Sequence, residues 1–242
     1  MNIIIPMAGR GERMKSITEL PKPLIEVGGK PMFLRVVESL NLDGQYIFAI
    51  LQEHDEVYGL ATIVKELIPG AQIHFVNAVT EGQAVTVLNT LEEFSQFTND
   101  EMLTANCDQL VAWNSDTFLH LTSEGNDGVI ATYNGSNPNW SYAEVDEHNT
   151  VIRTAEKSPI SPHATVGLYN WKCTSDYIRY TKQMIHLNKR VRNEFYVCPV
   201  YNEAIADGRR FIIYPVRDWY HLGTADDLTR YQLENHLEER FV

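Results

Sequence analysis

The chain has 242 residues, and 20 Lys and Arg against 32 Asp and Glu give it a formal charge of −12. Hydrophobic residues at 44% and aromatic residues at 10% are too many for a disordered chain, and the acidity disfavours nucleic acid, which a binder meets with a basic surface. No stretch approaches the roughly 20 apolar residues of a membrane span, residues 1–7 lack the basic start and long apolar run of a secretory signal, and three unclustered cysteines fit a reducing compartment. The expectation is a cytoplasmic globular unit with no membrane or nucleic-acid partner, and self-association into a homo-oligomer stays open.

In chain order, residues 2–6 (NIIIP) form an Ile-rich run before a glycine loop and predict a buried strand. Residues 31–40 carry apolar side chains at helical spacing. Residues 46–51 predict a strand, 54–68 a helix stopped by Pro69-Gly70, 72–76 a strand, 82–97 a helix and 101–105 a strand. Alternation of this kind marks parallel βαβ units, whose ligands bind beyond the strand C-termini. After Asp127 the spacing tightens: residues 128–133, 142–145, 151–155 and 165–171 predict strands joined by turn residues. Helices are expected over 175–187 and 195–206, a strand over 211–216 and an amphipathic closing helix over 225–240. The fold class is α/β, a doubly wound, mixed but mainly parallel Rossmann-like sheet with a small added β subdomain. The whole of 1–242 is expected to form one domain, divided into halves 1–126 and 127–242.

The chemistry begins where the first strand ends. Met7-Ala8-Gly9-Arg10-Gly11-Glu12-Arg13-Met14 sets two glycines and two arginines in one loop. Glycines let backbone N–H groups approach phosphate oxygens, and arginines add bidentate charge. The third glycine of a dinucleotide fingerprint is replaced by Met14, and no Gly-Lys-Ser/Thr closes a Walker loop. The alternative is a glycine turn with two solvated arginines. Next, Leu20-Pro21-Lys22-Pro23-Leu24 mounts a lysine between prolines that stiffen its backbone. A stiff mount suits a lysine that meets developing charge at one point; an exposed turn lysine is the plain alternative. Gly28-Gly29-Lys30-Pro31-Met32 follows.

The three segments M-A-G-R-G-E-R-M, P-K-P-L and G-K-P-M, in this order, resemble the N-terminal signature of the sugar-phosphate nucleotidylyltransferases, also called nucleotide-sugar pyrophosphorylases. The family loop usually has paired glycines where Gly9-Arg10 stands. The resemblance runs along nearly the whole chain and implies the nucleotide-diphospho-sugar transferase fold, with residues 127–242 as the acceptor-binding half. It implies nucleotide contacts at Met7, Ala8, Gly9, Arg10, Gly11, Asn77, Gly82 and Asn106, with Gly82 against the base and Asn77 where the family often has a base-reading Gln. It implies catalytic roles for Arg13, Lys22 and Asp108, and binding of Mg²⁺ by Asp108. Glycine usually precedes that aspartate, where this chain has Asn106-Cys107.

Acceptor contacts are implied for Tyr142, Glu156, Lys157, Gly167 and Tyr169. Glu156 would bond substrate hydroxyls and Lys157 would hold the acceptor phosphate; a surface ion pair is the alternative. Asn139, Trp140, Tyr142 and Trp171 give an aromatic-rich setting for the pocket. Near the end, W-Y-H-L-G-T-A-D-D-L follows the family's W-x-D-x-G-T-x-x-D-L, with His221 at the second metal-binding aspartate position. Imidazole is a poor ligand for hard Mg²⁺. Either one carboxylate suffices, or His221 contacts phosphate, or the catalytic function has drifted. Asp226 and Asp227 are expected at the N-terminus of the last helix, where negative charge is favoured. No hexapeptide-repeat extension follows, so a short form is expected.

The implied reaction is transfer of a nucleoside monophosphate from an NTP to a phosphorylated acceptor, most simply a sugar 1-phosphate, with release of pyrophosphate, for nucleotide-sugar or surface-polysaccharide synthesis. Three rivals stay open: a glycosyltransferase of related architecture, a cytidylyltransferase acting on choline phosphate, and a non-catalytic nucleotide-binding protein.

Overall fold

The computed structural model describes residues 1–238. Strand β1 (Asn2–Met7) is buried at every position. Two short 3₁₀ turns (Glu12–Met14 and Lys22–Leu24) lead to a small hairpin of β2 (Glu26–Val27) and β3 (Lys30–Pro31), then helix α1 (Met32–Leu40) and strand β4 (Gln45–Leu51). The helix expected over 54–68 is two helices, α2 (Gln52–Tyr58) and α3 (Leu60–Leu67). Gly59 separates them in the left-handed region at φ 64°, where α2 is capped and α3 begins. Strand β5 (Gln72–Val76), helix α4 (Gln83–Glu93) and strand β6 (Met102–Ala105) follow, and the end of the expected 82–97 helix is a separate 3₁₀ turn, Ser95–Phe97.

Strand β7 (Gln109–Ala112) and helix α5 (Ser115–Ser123) come next, neither of them expected. Asn114 caps α5, its Oδ1 accepting from Thr117 N at 2.8 Å. Strands β8 (Gly128–Asn134), β9 (Ser141–Val145), β10 (Val151–Glu156) and β11 (His163–Trp171) precede helix α6 (Thr174–His186). The helix expected over 195–206 is confined to α7 (Val200–Ala206). Phe195 is instead held by tertiary backbone bonds, its N–H to Glu81 O and its O from Ala84 N–H, and Pro199 disfavours helix in the residue before it. Strands β12 (Phe211–Pro215) and β13 (Asp218–His221) lead to helix α8 (Ala225–Glu238). The last two residues of the expected closing helix, 239 and 240, lie outside the described residues.

Among the described residues the main sheet has nine strands. Its order is β10-β9-β11-β6-β1-β4-β5, with β8 beside β11 and β12 beside β8. The β6-β1-β4-β5 part is parallel, whereas β11 runs antiparallel to β6, β8 and β9. Alternate side chains of β1 feed opposite faces: Ile3 and Ile5 enter one apolar cluster and Ile4 the other. The second cluster takes Trp171, whose ring centroid lies 4.5 Å from that of Tyr201. Trp171 is therefore core packing, not part of an acceptor pocket. Strands β7 and β13 form their own antiparallel ribbon, with Gln109 opposite His221 and Val111 opposite Trp219.

Candidate active site

The C-terminal ends of β1 and β6 and the loops around them open onto a cleft of about 1260 Å³. Gly11, at φ 63°, turns the first loop into a 3₁₀ turn, and a Cβ there would press on Lys22 Cβ at 3.2 Å. The glycine thus lets the loop pass against the lysine. Pro21 and the second 3₁₀ turn fix Lys22, with Ile25 N donating to Lys22 O at 3.1 Å. Its Nζ donates to Asp108 Oδ2, and these side chains are only 11% and 14% exposed. Burial alone would push the Asp108 carboxyl up, but Lys22, then His221 and Arg13, outweigh it and hold it at about 2. Met7, Ala8, Gly9, Gly11 and Arg13 line the same cleft.

Two residues expected on this wall are not among those lining the cleft. Arg10 turns away and pairs with Glu53 at 3.2 Å, with side chains 58% and 52% exposed. Asn77 is exposed just after β5 and also lies outside it. Gly82 does line the cleft, but its neighbour is protein. At φ 138° it caps α4, and a Cβ would collide with the backbone of Phe195. The 190–198 segment is strapped over this point. Phe195 N donates to Glu81 O at 2.9 Å, Ala84 N to Phe195 O at 3.0 Å, and Arg190 bonds Glu81 Oε1 at 2.9 Å while its guanidinium sits 4.0 Å from the Phe195 ring centroid. Asn106 Oδ1 accepts from Gln83 Nε2 at 2.6 Å, and Asn106 N donates to Gly167 O at 3.0 Å.

The opposite wall comes from β9, β10 and β11. Glu156 accepts a hydrogen bond from Ser141 Oγ, and burial pushes its carboxyl above the usual range. Lys157 has the positive φ of 53°. Its Nζ donates to Tyr196 OH and lies 4.1 Å from the Tyr196 ring centroid, and burial pushes its ammonium down. Tyr169 OH and Thr165 Oγ1 are 2.8 Å apart. Gly167, at φ 73°, makes room for two amides: a Cβ there would fall 2.5 Å from both Asn106 Nδ2 and Gln109 Oε1. Tyr142 is displaced from its expected role. It is fully buried within the sheet, its OH donates to Asn137 O at 2.7 Å, and it does not line the cleft.

His221 lines the cleft at the end of β13. Its Nδ1 lies 3.1 Å from Asp227 Oδ2, which also accepts from Thr224 N at 3.1 Å and Thr224 Oγ1 at 2.7 Å. Asp227 N donates back to Thr224 Oγ1 at 3.2 Å. This reciprocal capping box starts α8, so Asp227 serves the helix and orients His221 together. Several cleft residues escape sequence reasoning: Gln83, Gln109, Arg190 and Arg192. Gln83 stands next to Gly82 at the start of α4. Gln109 reaches the cleft on the β7–β13 ribbon and Arg190 through its bond to Glu81, pairings distant in sequence that leave no local signal. Trp219, which opens the W-Y-H-L-G-T segment, also lines the cleft.

A family model described as a MobA-like NTP transferase domain matches residues 3–232. The bifunctional protein GlmU of Methanocaldococcus jannaschii is 27% identical over 176 residues, which is 71% of this chain and 40% of that protein. GlmU of Methanococcus aeolicus is 25% identical over 177 residues, with the same shares. The chain thus spans about 40% of the length of the curated relatives it matches. Among solved structures, the nucleoside-diphosphate-sugar pyrophosphorylase from Vibrio cholerae RC9 has a TM-score of 0.81 and 28% identity, covering 95% of this chain and 98% of that one. A UDP-glucose pyrophosphorylase complexed with UDP-glucose has a TM-score of 0.78 at 16% identity, covering 98% of both chains, a likeness of fold. Matched almost from end to end, the chain belongs to the MobA-like NTP transferase family, within the sugar-phosphate nucleotidylyltransferase kinship that its signature segments resemble.

Proposed function

We propose that the chain transfers a nucleoside monophosphate from an NTP to a sugar 1-phosphate in the cytoplasm and releases pyrophosphate, supplying a nucleotide-sugar for polysaccharide synthesis. The observation that carries this reading is the pairing of Lys22 with Asp108 at the sheet edge, in one cleft with Arg13 and Lys157. The acceptor phosphate oxygen attacks the α-phosphorus in line, one P–O bond forms, and the bond to pyrophosphate breaks. The substrate supplies the nucleophile, so catalysis is positioning and charge stabilisation. Gly9, Gly11 and Arg13 hold the triphosphate, Lys22 meets charge at the α-phosphate, Lys157 orients the acceptor phosphate and Glu156 its hydroxyls. Cys107, beside Asp108, is no rival nucleophile: burial and the Asp108 charge push its thiol to about 12.

Mg²⁺ takes oxygen ligands from one or two carboxylates, phosphates and water. Asp108 supplies one charged carboxylate, and among the described residues no group of three His, Cys, Asp or Glu could hold an ion. That donor set fits an ion carried in on the triphosphate. Asp108 and phosphate oxygens would hold it, and it would neutralise charge on the phosphates. His221, oriented by Asp227, is not needed as a ligand.

Trp140 and Trp219, with ring centroids 4.5 Å apart and both lining the cleft, favour a second reading. Aromatic faces suit a quaternary ammonium, so choline phosphate is the other acceptor to test. Pyrophosphate release is measured for each NTP against a panel of sugar 1-phosphates and choline phosphate. The reading expects one NTP and sugar 1-phosphate pair to dominate. Silence across the panel, or consumption of a nucleotide-sugar instead, would overturn it.

A further inference from the structure

Lys157 is a cation of the cleft that no carboxylate holds. Among the described residues it forms no ion pair, although Glu156 and Glu194 act on its charge, as do Arg192 and Arg13. Its Nζ donates instead to Tyr196 OH and lies 4.1 Å from the centroid of the Tyr196 ring. Glu156 is occupied by the Ser141 hydroxyl. Glu194 is exposed, lines the same cleft and faces the Tyr196 hydroxyl. That hydroxyl therefore stands between an ammonium that donates to it and a carboxylate that can accept its proton. Burial, then Glu194 and Glu156, push the hydroxyl up, so it stays a neutral O–H at any working pH.

The tyrosine is fixed on both sides along the chain. One residue before it, Phe195 exchanges backbone bonds with Glu81 and Ala84 around the start of α4. Two residues after it, Cys198 O accepts from Thr154 Oγ1 at 2.8 Å, in β10, the strand that ends beside Lys157. Asn202 of α7 bonds both backbone groups of Thr154, at 2.8 and 2.9 Å. The backbone that carries the ring cannot leave β10 without breaking these bonds, whereas the lysine reaches the ring on a flexible four-carbon stem. The fixed partner is also a neutral one. An ammonium bonded to a carboxylate is held by a full opposite charge, and an incoming phosphate competes with the anion already there. Bonded to a hydroxyl and laid on a ring face, the ammonium keeps its charge unpaired. Lys22, bonded directly to Asp108, shows the committed arrangement in the same cleft.

We propose that Tyr196 is a positioning residue of the acceptor site: its hydroxyl separates Lys157 from Glu194, so that the ammonium waits on a neutral partner and passes to the acceptor phosphate. The inference rests on the nucleotidyl-transfer reading for its acceptor, while the arrangement of the three side chains exists without it.

The test uses Tyr196→Phe, which keeps the ring and removes the spacer. Lys157 should then pair with Glu194. KM for the sugar 1-phosphate should rise by about 3–10-fold, while kcat and KM for NTP stay within about twofold. Adding Glu194→Gln should bring the acceptor KM back to that of wild type, which a loss of packing alone would not do. Added to Lys157→Met, Tyr196→Phe should change nothing further, because Tyr196 acts through the lysine. An acceptor KM unmoved by Tyr196→Phe, or a rise that Glu194→Gln leaves in place, overturns the proposal. A second measurement needs no turnover. In protein isotopically labelled at tyrosine Cζ, the Tyr196 resonance is recognised by its absence from Tyr196→Phe. It should shift in Lys157→Met and, in wild type, on saturation with inorganic phosphate. A resonance that stays in place in either case overturns the proposal. If wild type turns over no pair, the nucleotidyl-transfer reading fails, and the resonance alone decides whether Tyr196 holds the lysine for an anion.

Discussion

The two walls of the cleft hold their carboxylates in opposite ways. On the wall of the first loop and β6, Asp108 is paired with Lys22 across 86 residues of sequence and held at about 2. On the wall of β9 to β11, Glu156 is bonded to the neutral Ser141 hydroxyl, and burial pushes it up. The lysines differ in the same sense. Lys22 faces an anion, whereas Lys157 rests on the ring and hydroxyl of Tyr196. One wall carries charge already committed to charge, which supports the triphosphate and cation proposed for it. The other carries charge satisfied by neutral groups, which an incoming phosphate and hydroxyls can displace at smaller cost.

The contrast places the largest expected effect on the first wall. Lys22→Met should lower kcat for pyrophosphate release by about 10³-fold, the scale of losing a preorganised charge-stabilising donor. A loss below tenfold would remove Lys22 from the transition state. Lys157→Met should act on binding. The acceptor KM should rise by about 10–100-fold, the scale of a charged hydrogen bond lost, with the NTP KM unmoved. Equal rises in both KM values would mean that the walls do not divide the substrates between them.

The third effect is one of stability. Because the folded value of Glu156 lies above its ordinary one, its favourable contribution is fully present below about pH 4 and is lost as pH rises through the raised value. A charged Glu156 therefore costs stability near neutrality. Glu156→Gln should match wild type in melting temperature near pH 4 and melt higher by pH 8. A variant that melts lower at pH 8 would show that the carboxylate, like Asp108, is stabilised as an anion.

The first wall was the more legible in the sequence because its elements are local. The Ile run of β1 leads directly into Gly9 and Gly11, and Pro21 and Pro23 flank Lys22 within a few residues. The second wall depends on partners far apart. Tyr142 and Trp171 are aromatic residues in strands, and which face is buried depends on where the chain's other elements pack; Trp171, for one, packs on Tyr177 and Tyr180 of α6 and Tyr201 of α7. The ribbon of β7 and β13 was invisible because each strand has four residues and finds its partner more than 100 residues away. Gly82 was noticed as a glycine at a helix start, yet the atoms that exclude a Cβ there belong to Phe195.

The smallest expected effect falls on Arg10, the residue that stands where the family loop usually has a second glycine. Adjacent in sequence to Gly9, it reads as a phosphate ligand. In space its guanidinium reaches α2 and pairs with Glu53, with both side chains more than half exposed. An exposed pair of this kind contributes about 0–1 kcal/mol and is screened by salt. Arg10→Gly should therefore change the KM for NTP by less than about twofold at ordinary ionic strength, within the range such a weak pair allows. The wall would then rest on backbone N–H groups, Arg13 and Lys22, with Arg10 serving only to tether the loop. A rise of tenfold or more would mean that Arg10 leaves Glu53 when the triphosphate arrives. The first wall would then share the adaptability assigned to the second, and the contrast between them would lie in the carboxylates alone.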